Sequence, residues 1–252
     1  MNYVFESIRI ENSIIEDFEI HLNRLLKSAF YKFGISYDIK DLFTNSLDFL
    51  KNELYEKNRV YKFNIILYKD NTIEFKLAPY IINKSKNLIV LNDKIRKYGD
   101  IYYKDSDYRK IFDKYNDIFN SFIVDNSQID NFQDLILLND KNNISECLTS
   151  NIFFAKNNVL YTPSIKQGLF NGITRQKIIN IVDYQKIKLK ITSIPVNTIG
   201  YFDSCFILNS LKRIVNINKI VFNNLNFTYL DYSNIKNINI LLSKNINRTA
   251  IF

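Results

Sequence analysis

Short runs of β-branched and aromatic residues, each bounded by turn-forming residues, constrain most strongly what this chain can fold into. In the first half, VYKFNIILY at 60–68 is followed by similar runs at 72–80 and 87–91, with Asp-Asn and Asn-Lys-Ser between them. The second half continues the pattern at 134–138, 151–155, 158–161, 188–193 and 203–209. The pattern predicts two groups of strands.

Apolar residues at helical spacing predict helices among these strands. Phe18, Leu22, Leu25 and Ala29 follow the period of a helix, and Gly34 suits its end. Further helices are predicted at 40–56, 173–183 and 229–243. The mixture of helices and strands predicts an α/β (α+β) fold.

A polar stretch without periodicity, Asn92–Gly99, separates the two groups of strands and is typical of a linker. With 252 residues, the chain is long enough for one large domain or two small ones around buried cores. We therefore expect a smaller N-terminal α/β domain at 1–94, a linker at 95–103 and a larger C-terminal domain at 104–252.

The charge of the chain narrows the choice of partners. A net charge of +8 would suit nucleic acid or anionic substrates. However, lysine is spread along the whole chain without a compact basic run, and none of the recognised nucleic-acid-binding modules shows its signature. We expect a small-molecule substrate and no nucleic-acid partner.

Cysteine usage and the N-terminus indicate the compartment. Cys147 and Cys205 lie far apart and without metal-ligand spacing, so we expect neither a disulfide framework nor a metal site. The start, MNYVFESIRIEN, lacks a basic segment followed by an apolar run, and no stretch approaches the ~18 apolar residues of a membrane helix. These features predict a cytoplasmic protein without a membrane partner.

The most specific pattern is ECLTSNIFFAKNNVLYTPSIKQGLFNGITRQKI, from Glu146 to Ile178. A Glu precedes an Asn-aliphatic-Phe strand, then comes a Thr-Pro, and then a Gly-aliphatic-Thr-Arg turn that enters a helix. This combination resembles the signature of class IV aminotransferases, which are fold-type IV enzymes of pyridoxal 5'-phosphate (PLP). The resemblance implies two α/β domains with PLP between them, and a homodimer.

The resemblance gives this segment two roles toward PLP. A carboxylate beside the ring nitrogen of PLP keeps that nitrogen protonated, and Glu146 matches the family's residue for this. The alternative is a solvated acid in a turn. The amides of Ile173 and Thr174, at the start of a helix, match the family's phosphate site. An ordinary helix start is the alternative.

Two earlier patterns resemble the family's remaining cofactor contacts. YYKDSDYR at 102–109 resembles its short lysine pattern, which implies that Lys104 binds PLP covalently and transfers protons, and that Tyr108 meets the ring hydroxyl. HLNRL at 21–25 resembles its His-x-x-Arg-Leu, which implies that Arg24 binds the phosphate. The alternative for Arg24 is an exposed arginine on a solvated helix face. We expect His21 to have a structural role.

FDSCFILNSLKRIVNI at 202–217 resembles the family's late strand and phosphate loop. By this resemblance Ser210 binds the phosphate, whereas Asn209 and Lys212 or Arg213 are candidates for contact with substrate. For the two basic residues, an exposed strand edge is the alternative. Asn209-Ser210-Leu211 is closer to the Asn-Ala-Leu of aminodeoxychorismate lyases than to the Thr-Gly-Thr or Ser-Thr-Thr of the aminotransferases.

The loop therefore implies a PLP-dependent lyase that eliminates pyruvate from 4-amino-4-deoxychorismate and gives 4-aminobenzoate for folate biosynthesis. The alternative within the family is an aminotransferase of branched-chain or D-amino acids. A binding module that uses its basic surface is a third hypothesis, from a different class.

Overall fold

The computed structural model describes residues 2–54, 56, 58–96, 99–101, 103–125, 132–185, 187–229 and 233–252. The chain folds into two compact units. One unit comprises Met1–Ile82, Tyr102–Ile111 and Ile246–Phe252, and the other comprises Asn83–Ile101 and Phe112–Asn245. Among the described residues, no helix is long and apolar enough to cross a lipid bilayer.

The first unit is a mixed α/β structure. Its elements are β1 (Tyr3–Glu11), β2 (Ile14–Glu16), α1 (Phe18–Phe33), α2 (Ile39–Glu53), β3 (Val60–Tyr68), β4 (Ile73–Pro79) and the late strand β17 (Arg248–Ala250). The strands form one sheet in the order β17-β2-β1-β3-β4. β1 and β3 are antiparallel and pair along their whole lengths.

Alternation of side chains in β1 and β3 explains how this unit closes. Val4, Ile8, Phe63 and Ile65 are fully buried and pack with the apolar stripe of α1, each contributing roughly 1.5–3 kcal/mol of burial free energy. The predicted helix end is confirmed: Gly34 has a φ of 70° and its N–H bonds to the carbonyl of the last turn. The other, outer face of the sheet carries the polar side chains of Ser7, Arg9, Lys62 and Asn64.

The second unit contains the remaining elements. They are β5 (Asn87–Arg96), β6 (Gly99–Ile101), β7 (Asp134–Asn139), β8 (Ile144–Cys147), β9 (Asn151–Lys156), β10 (Val159–Pro163), β11 (Gln167–Phe170), α4 (Ile173–Tyr184), β12 (Leu189–Thr192), a 3-10 helix (Val196–Tyr201), β13 (Ser204–Asn209), β14 (Arg213–Ile217), β15 (Lys219–Phe222), β16 (Leu225–Thr228) and α5 (Ser233–Lys244). Helix α3 (Ser106–Asp125) begins in the first unit and continues in the second.

Two five-stranded sheets form the frame of the second unit. Their orders are β12-β10-β9-β13-β14 and β16-β15-β5-β7-β8, and β11 pairs with β6. In β9, Ile152 and Phe154 belong to one buried cluster, whereas Phe153 and Ala155 belong to another with residues of α4 and α5. Because both faces of β9 are covered, its sequence is apolar without alternation. The predicted α/β (α+β) class is confirmed.

The units differ from the predicted segments 1–94 and 104–252. β5 pairs with β7 and β15, which explains why residues 83–101 lie in the second unit. β17 pairs with β2, which returns the end of the chain to the first unit. Within the predicted linker 95–103, residues 97, 98 and 102 lie outside the described residues, as do residues 230–232 of the predicted helix 229–243.

Candidate functional site

A buried carboxylate joins three strands of the second unit. Glu146, in β8, is only 3% exposed. Its Oε2 accepts the N–H of Phe170 at 3.1 Å and the Nδ2 of Asn151 at 3.3 Å. The same Nδ2 also donates to the Phe170 carbonyl at 2.8 Å. The solvated-turn interpretation of Glu146 is therefore wrong, and the burial of its charge is compensated by hydrogen bonds.

A buried guanidinium lies within electrostatic range of this carboxylate. Arg175, in the first turn of α4, donates to the Asn171 side chain at 3.0 Å and to the Pro163 carbonyl at 2.9 Å. Burial lowers the pKa of Arg175 to about 10, while the charge of Glu146 acts in the opposite direction. Arg175 is thus a cation at neutral pH. The Gly-aliphatic-Thr-Arg motif contains Arg175, but nothing in the sequence indicated that its side chain would be buried, since an arginine in a first helical turn is equally typical of a surface residue.

The start of α4 packs directly against the same network. Gly172 is the residue before the helix, and a Cβ atom there would collide with Oδ1 of Asn151. Ile173 and Thr174 begin the helix and are both buried. The amides of a first helical turn lack partners within the helix and lie at the positive end of its dipole. Asn151 therefore couples the position of Glu146 to a potential anion site.

A second hydroxyl reaches the start of α4. Ser210 lies in the turn between β13 and β14, and its Oγ is 3.5 Å from Oγ1 of Thr174. The structure thus brings together two of the residues that the family resemblance gives to the phosphate. Hydroxyls and first-turn amides are donors that suit a phosphate dianion.

The residues of this turn that were candidates for substrate binding make structural contacts. Oδ1 of Asn209 accepts the N–H groups of Leu211 and Lys212 at 2.9 and 2.7 Å, so its side chain holds the turn. Arg213 pairs with Asn209 across the hairpin and has a φ of 58°. Lys212 is buried, so the exposed-edge interpretation is wrong for this residue. A role of Asn209 or Arg213 toward substrate stays a proposal.

In the first unit, Lys104 lies beside β1. Its carbonyl accepts the N–H of Phe5 at 2.9 Å, and Asp105 forms a bridge with Val4. Oδ1 of Asp105 accepts two N–H groups of the first turn of α3, including that of Tyr108 at 2.8 Å, and Oδ2 bonds to Lys32. These contacts fix the backbone of Lys104 on both sides.

Arg24 belongs to a buried charged cluster. Its Nε and Nη2 donate to the two carboxylate oxygens of Glu6 at 2.5 and 2.6 Å, and Nδ1 of His21 lies 2.8 Å from Glu6 Oε2. The Arg24 side chain is 18% exposed, so the solvated-face interpretation is wrong. Burial tends to raise the pKa of Glu6, but the Arg24 charge and the His21 hydrogen bond bring it well below its usual range.

The outer face of the first sheet carries a cation that the sequence did not single out. Lys62, in β3, lies opposite Arg9 of β1 and is partly buried. Burial lowers the pKa of Lys62, and the charge of Arg109 lowers it further. Among the described residues, no carboxylate pairs with Lys62. Alternation in VYKFNIILY puts Lys62 on the face opposite to Phe63 and Ile65. Lysine is so frequent in this chain that its position in the pattern does not single out Lys62.

Glu6→Gln tests the charged cluster. Because the pKa of Glu6 is depressed from its ordinary 4.5, its stabilising effect is present above that pH and is lost as the pH falls below it. We expect urea unfolding at pH 7 to show a loss of roughly 2–3 kcal/mol, discounted from a fully buried pair because Arg24 is partly exposed. The gap to the wild type should narrow at pH 3.5.

The matched control is Glu53→Gln, at an exposed position in α2, which should change stability little at either pH. Equal stability of Glu6→Gln and the wild type at pH 7, or a gap that stays constant into acid, would contradict the stabilising role given to this cluster.

Part of this chain is similar to a known protein family. Residues 117–220 match the model of class IV aminotransferases. A Rickettsia bellii protein assigned as a branched-chain-amino-acid aminotransferase is 39% identical over 101 residues, which cover 40% of this chain and 35% of that protein. The aminodeoxychorismate lyase of Bacillus subtilis is 29% identical over 85 residues, 34% of this chain and 29% of that enzyme. The chain thus matches about a third of the length of these relatives.

The likeness in structure extends further than the likeness in sequence. A Legionella pneumophila protein assigned as a 4-amino-4-deoxychorismate lyase superposes with a TM-score of 0.79 over 96% of this chain and 90% of that one, at 23% identity. At this identity the likeness shows a common fold. The resemblance predicted from the sequence is therefore confirmed: residues 117–220 match the model of the class IV aminotransferase family, and the chain has the fold-type IV fold.

Proposed function

We propose that this protein is a PLP-dependent carbon–oxygen lyase that converts 4-amino-4-deoxychorismate into 4-aminobenzoate and pyruvate. The observation that carries the choice of a lyase is the turn Asn209-Ser210-Leu211, whose sequence is closer to the Asn-Ala-Leu of the lyases than to the Thr-Gly-Thr or Ser-Thr-Thr of the aminotransferases. We further propose, from the family resemblance, that it acts as a cytoplasmic homodimer in folate biosynthesis.

The described residues fit the cofactor. Glu146 is a buried carboxylate. Away from water, a negative charge stabilises a protonated ring nitrogen more strongly than it does in solution. Gly172, which has no side chain, precedes α4, and the hydroxyls of Thr174 and Ser210 lie at the start of the helix. In the proposal, these donors and Arg24 hold the phosphate, Lys104 binds the cofactor covalently, and Tyr108 meets its ring hydroxyl.

When bound, PLP supplies an electron sink for the carbon that carries the amino group of the substrate. Lys104 would remove the proton from that ring carbon, and Glu146 would hold the proton on the pyridine nitrogen throughout. The carbon–oxygen bond to the enolpyruvyl group then breaks, with its electron pair leaving on oxygen, and the ring becomes aromatic. The released enolate takes up one proton on its terminal carbon and becomes pyruvate.

Two cations of the first unit, Lys62 and Arg109, support a substrate with two carboxylates. Lys62 lies on the outer face of the first sheet with Arg109 in electrostatic range. A carboxylate beside Lys62 would stabilise the ammonium, whose charged form is disfavoured by burial. Lys62 and Arg109 are therefore proposed to bind carboxylate groups of the substrate.

A second candidate is a branched-chain aminotransferase. The observation that favours it is the 39% identity to the Rickettsia bellii protein, against 29% to the Bacillus subtilis lyase. The two reactions use the same contacts to the cofactor and the same proton removal by Lys104. They differ in the next step, because in the aminotransferase Lys104 returns the proton to a different carbon and no bond to oxygen breaks.

The decisive assay incubates cofactor-loaded protein with enzymatically generated 4-amino-4-deoxychorismate. We expect 4-aminobenzoate and pyruvate in equal amounts, and a rate reduced by about 10²–10⁴-fold in Lys104→Ala because proton transfer is lost. Lys110→Ala, an exposed lysine in the first turns of α3, is the matched control and should retain the rate. Amino transfer from leucine to 2-oxoglutarate without formation of 4-aminobenzoate would instead establish the second candidate.

Gly172→Ala tests the coupling between Glu146 and the anion site. A methyl group there would displace the Asn151 side chain, which holds both Glu146 and Phe170. We expect PLP to bind at least about tenfold more weakly, the equivalent of one charge-assisted hydrogen bond. Gly34→Ala makes the same chemical change at a helix end where no other atom lies close. Because alanine is disfavoured at the φ of 70° of Gly34, this variant should lower stability without changing PLP affinity. Unchanged affinity in Gly172→Ala would contradict the coupling.

A further inference from the structure

Lys212, in the turn that carries Ser210, forms a buried ion pair with Asp134 at the start of β7. Only 4% of the Lys212 side chain and 2% of the Asp134 side chain are exposed. Nζ of Lys212 donates to Oδ2 of Asp134 at 3.2 Å and to Oγ1 of Thr149 at 2.9 Å. Two desolvated charges are costly, and in some proteins such pairs fix a conformation rather than add stability.

Asp134 is a firm anchor for this pair. Its Oδ1 accepts the N–H groups of Leu135 and Thr149 at 2.9 and 3.1 Å. Its Oδ2 also accepts the hydroxyls of Thr149 and Ser150. The carboxylate therefore connects the start of β7 to the turn before β9, and its position does not depend on Lys212 alone.

A hydrogen bond of Asn209 holds the same turn on the other side of Ser210. Nδ2 of Asn209 donates to the Thr149 carbonyl at 2.8 Å. Asn209 and Lys212 thus both connect the β13–β14 turn to Thr149, one before Ser210 and one after it. The backbone of Ser210 lies between two fixed points, and its hydroxyl lies at the start of α4.

We propose that the Lys212–Asp134 ion pair is a positioning device for phosphate binding: it holds the turn so that the Ser210 hydroxyl stays beside Thr174 at the start of α4. The inference rests on the proposed binding of PLP. It also removes Lys212 from the candidates for substrate binding, since its ammonium is engaged by Asp134 and Thr149.

The test compares the affinities of the full-length apoprotein for PLP and for pyridoxal, which lacks the phosphate. The ratio of the two isolates phosphate recognition from general effects on the fold. Lys212→Met removes the charge and keeps an unbranched side chain that is one atom shorter. Lys212→Met with Asp134→Asn removes both charges, so that no buried charge is left uncompensated if the single variant fails to fold. Lys188→Met, an exposed lysine of the same unit, is the matched control.

We expect Ser210→Ala to lower the PLP:pyridoxal preference on the order of tenfold. Lys212→Met, or its double variant with Asp134→Asn, should lower the preference several-fold and Lys188→Met should not change it. Because Lys212 acts through Ser210, Ser210→Ala with Lys212→Met should lose no more preference than Ser210→Ala alone.

Two results would overturn the inference, and they are distinguishable. If the wild type prefers PLP and Ser210→Ala weakens that preference, but the Lys212 variants keep it or lose it independently of Ser210, the positioning role alone fails. If the wild type binds PLP and pyridoxal equally well, the proposed phosphate site fails and the positioning role fails with it.

Discussion

The buried carboxylate of Glu146 is the interaction on which the arrangement of the second unit depends. An ionised group removed from water must be paired or hydrogen-bonded, since otherwise burial costs several kcal/mol. Here Asn151 and the Phe170 N–H supply the bonds. To do so, β8, β9 and β11 must meet at one point, and Gly172 must lack a side chain. The start of α4 is placed by the same requirement.

The first unit solves a similar problem with different residues. Glu6 is held by Arg24 and His21, and the cluster lies on the side of β1 that packs against α1. Charges in such a cluster cost desolvation energy but define one geometry for the guanidinium. The ion pair of Lys212 with Asp134 follows the same principle in the other unit. In each case, the buried charge fixes a group to which the proposal gives a role in binding PLP, either directly or through a neighbour.

Local features of the fold were predictable from the sequence, and partners distant in the chain were not. The end of α1 at Gly34, the strand β9 and the helix at 173–183 result from turn chemistry and apolar patterning, which act over a few residues. The family motif led to Glu146, Thr174 and Ser210. By contrast, nothing local links Lys212 to Asp134 or β17 to β2, since these pairs form only when the sheets assemble. Lys62 was missed because lysine is frequent in this chain, so the sequence does not distinguish a functional lysine from a surface lysine.

The role of Glu146 is tested most directly by the ¹⁵N NMR shift of PLP labelled at its ring nitrogen and bound to the wild type and to Glu146→Gln. We expect a protonated nitrogen in the wild type, since the Glu146 carboxylate would accept its hydrogen bond. We expect an unprotonated nitrogen in the variant, in which the neutral amide cannot stabilise the positive charge. An unprotonated nitrogen in the wild type, or the same protonated shift in both proteins, would contradict the role given to Glu146.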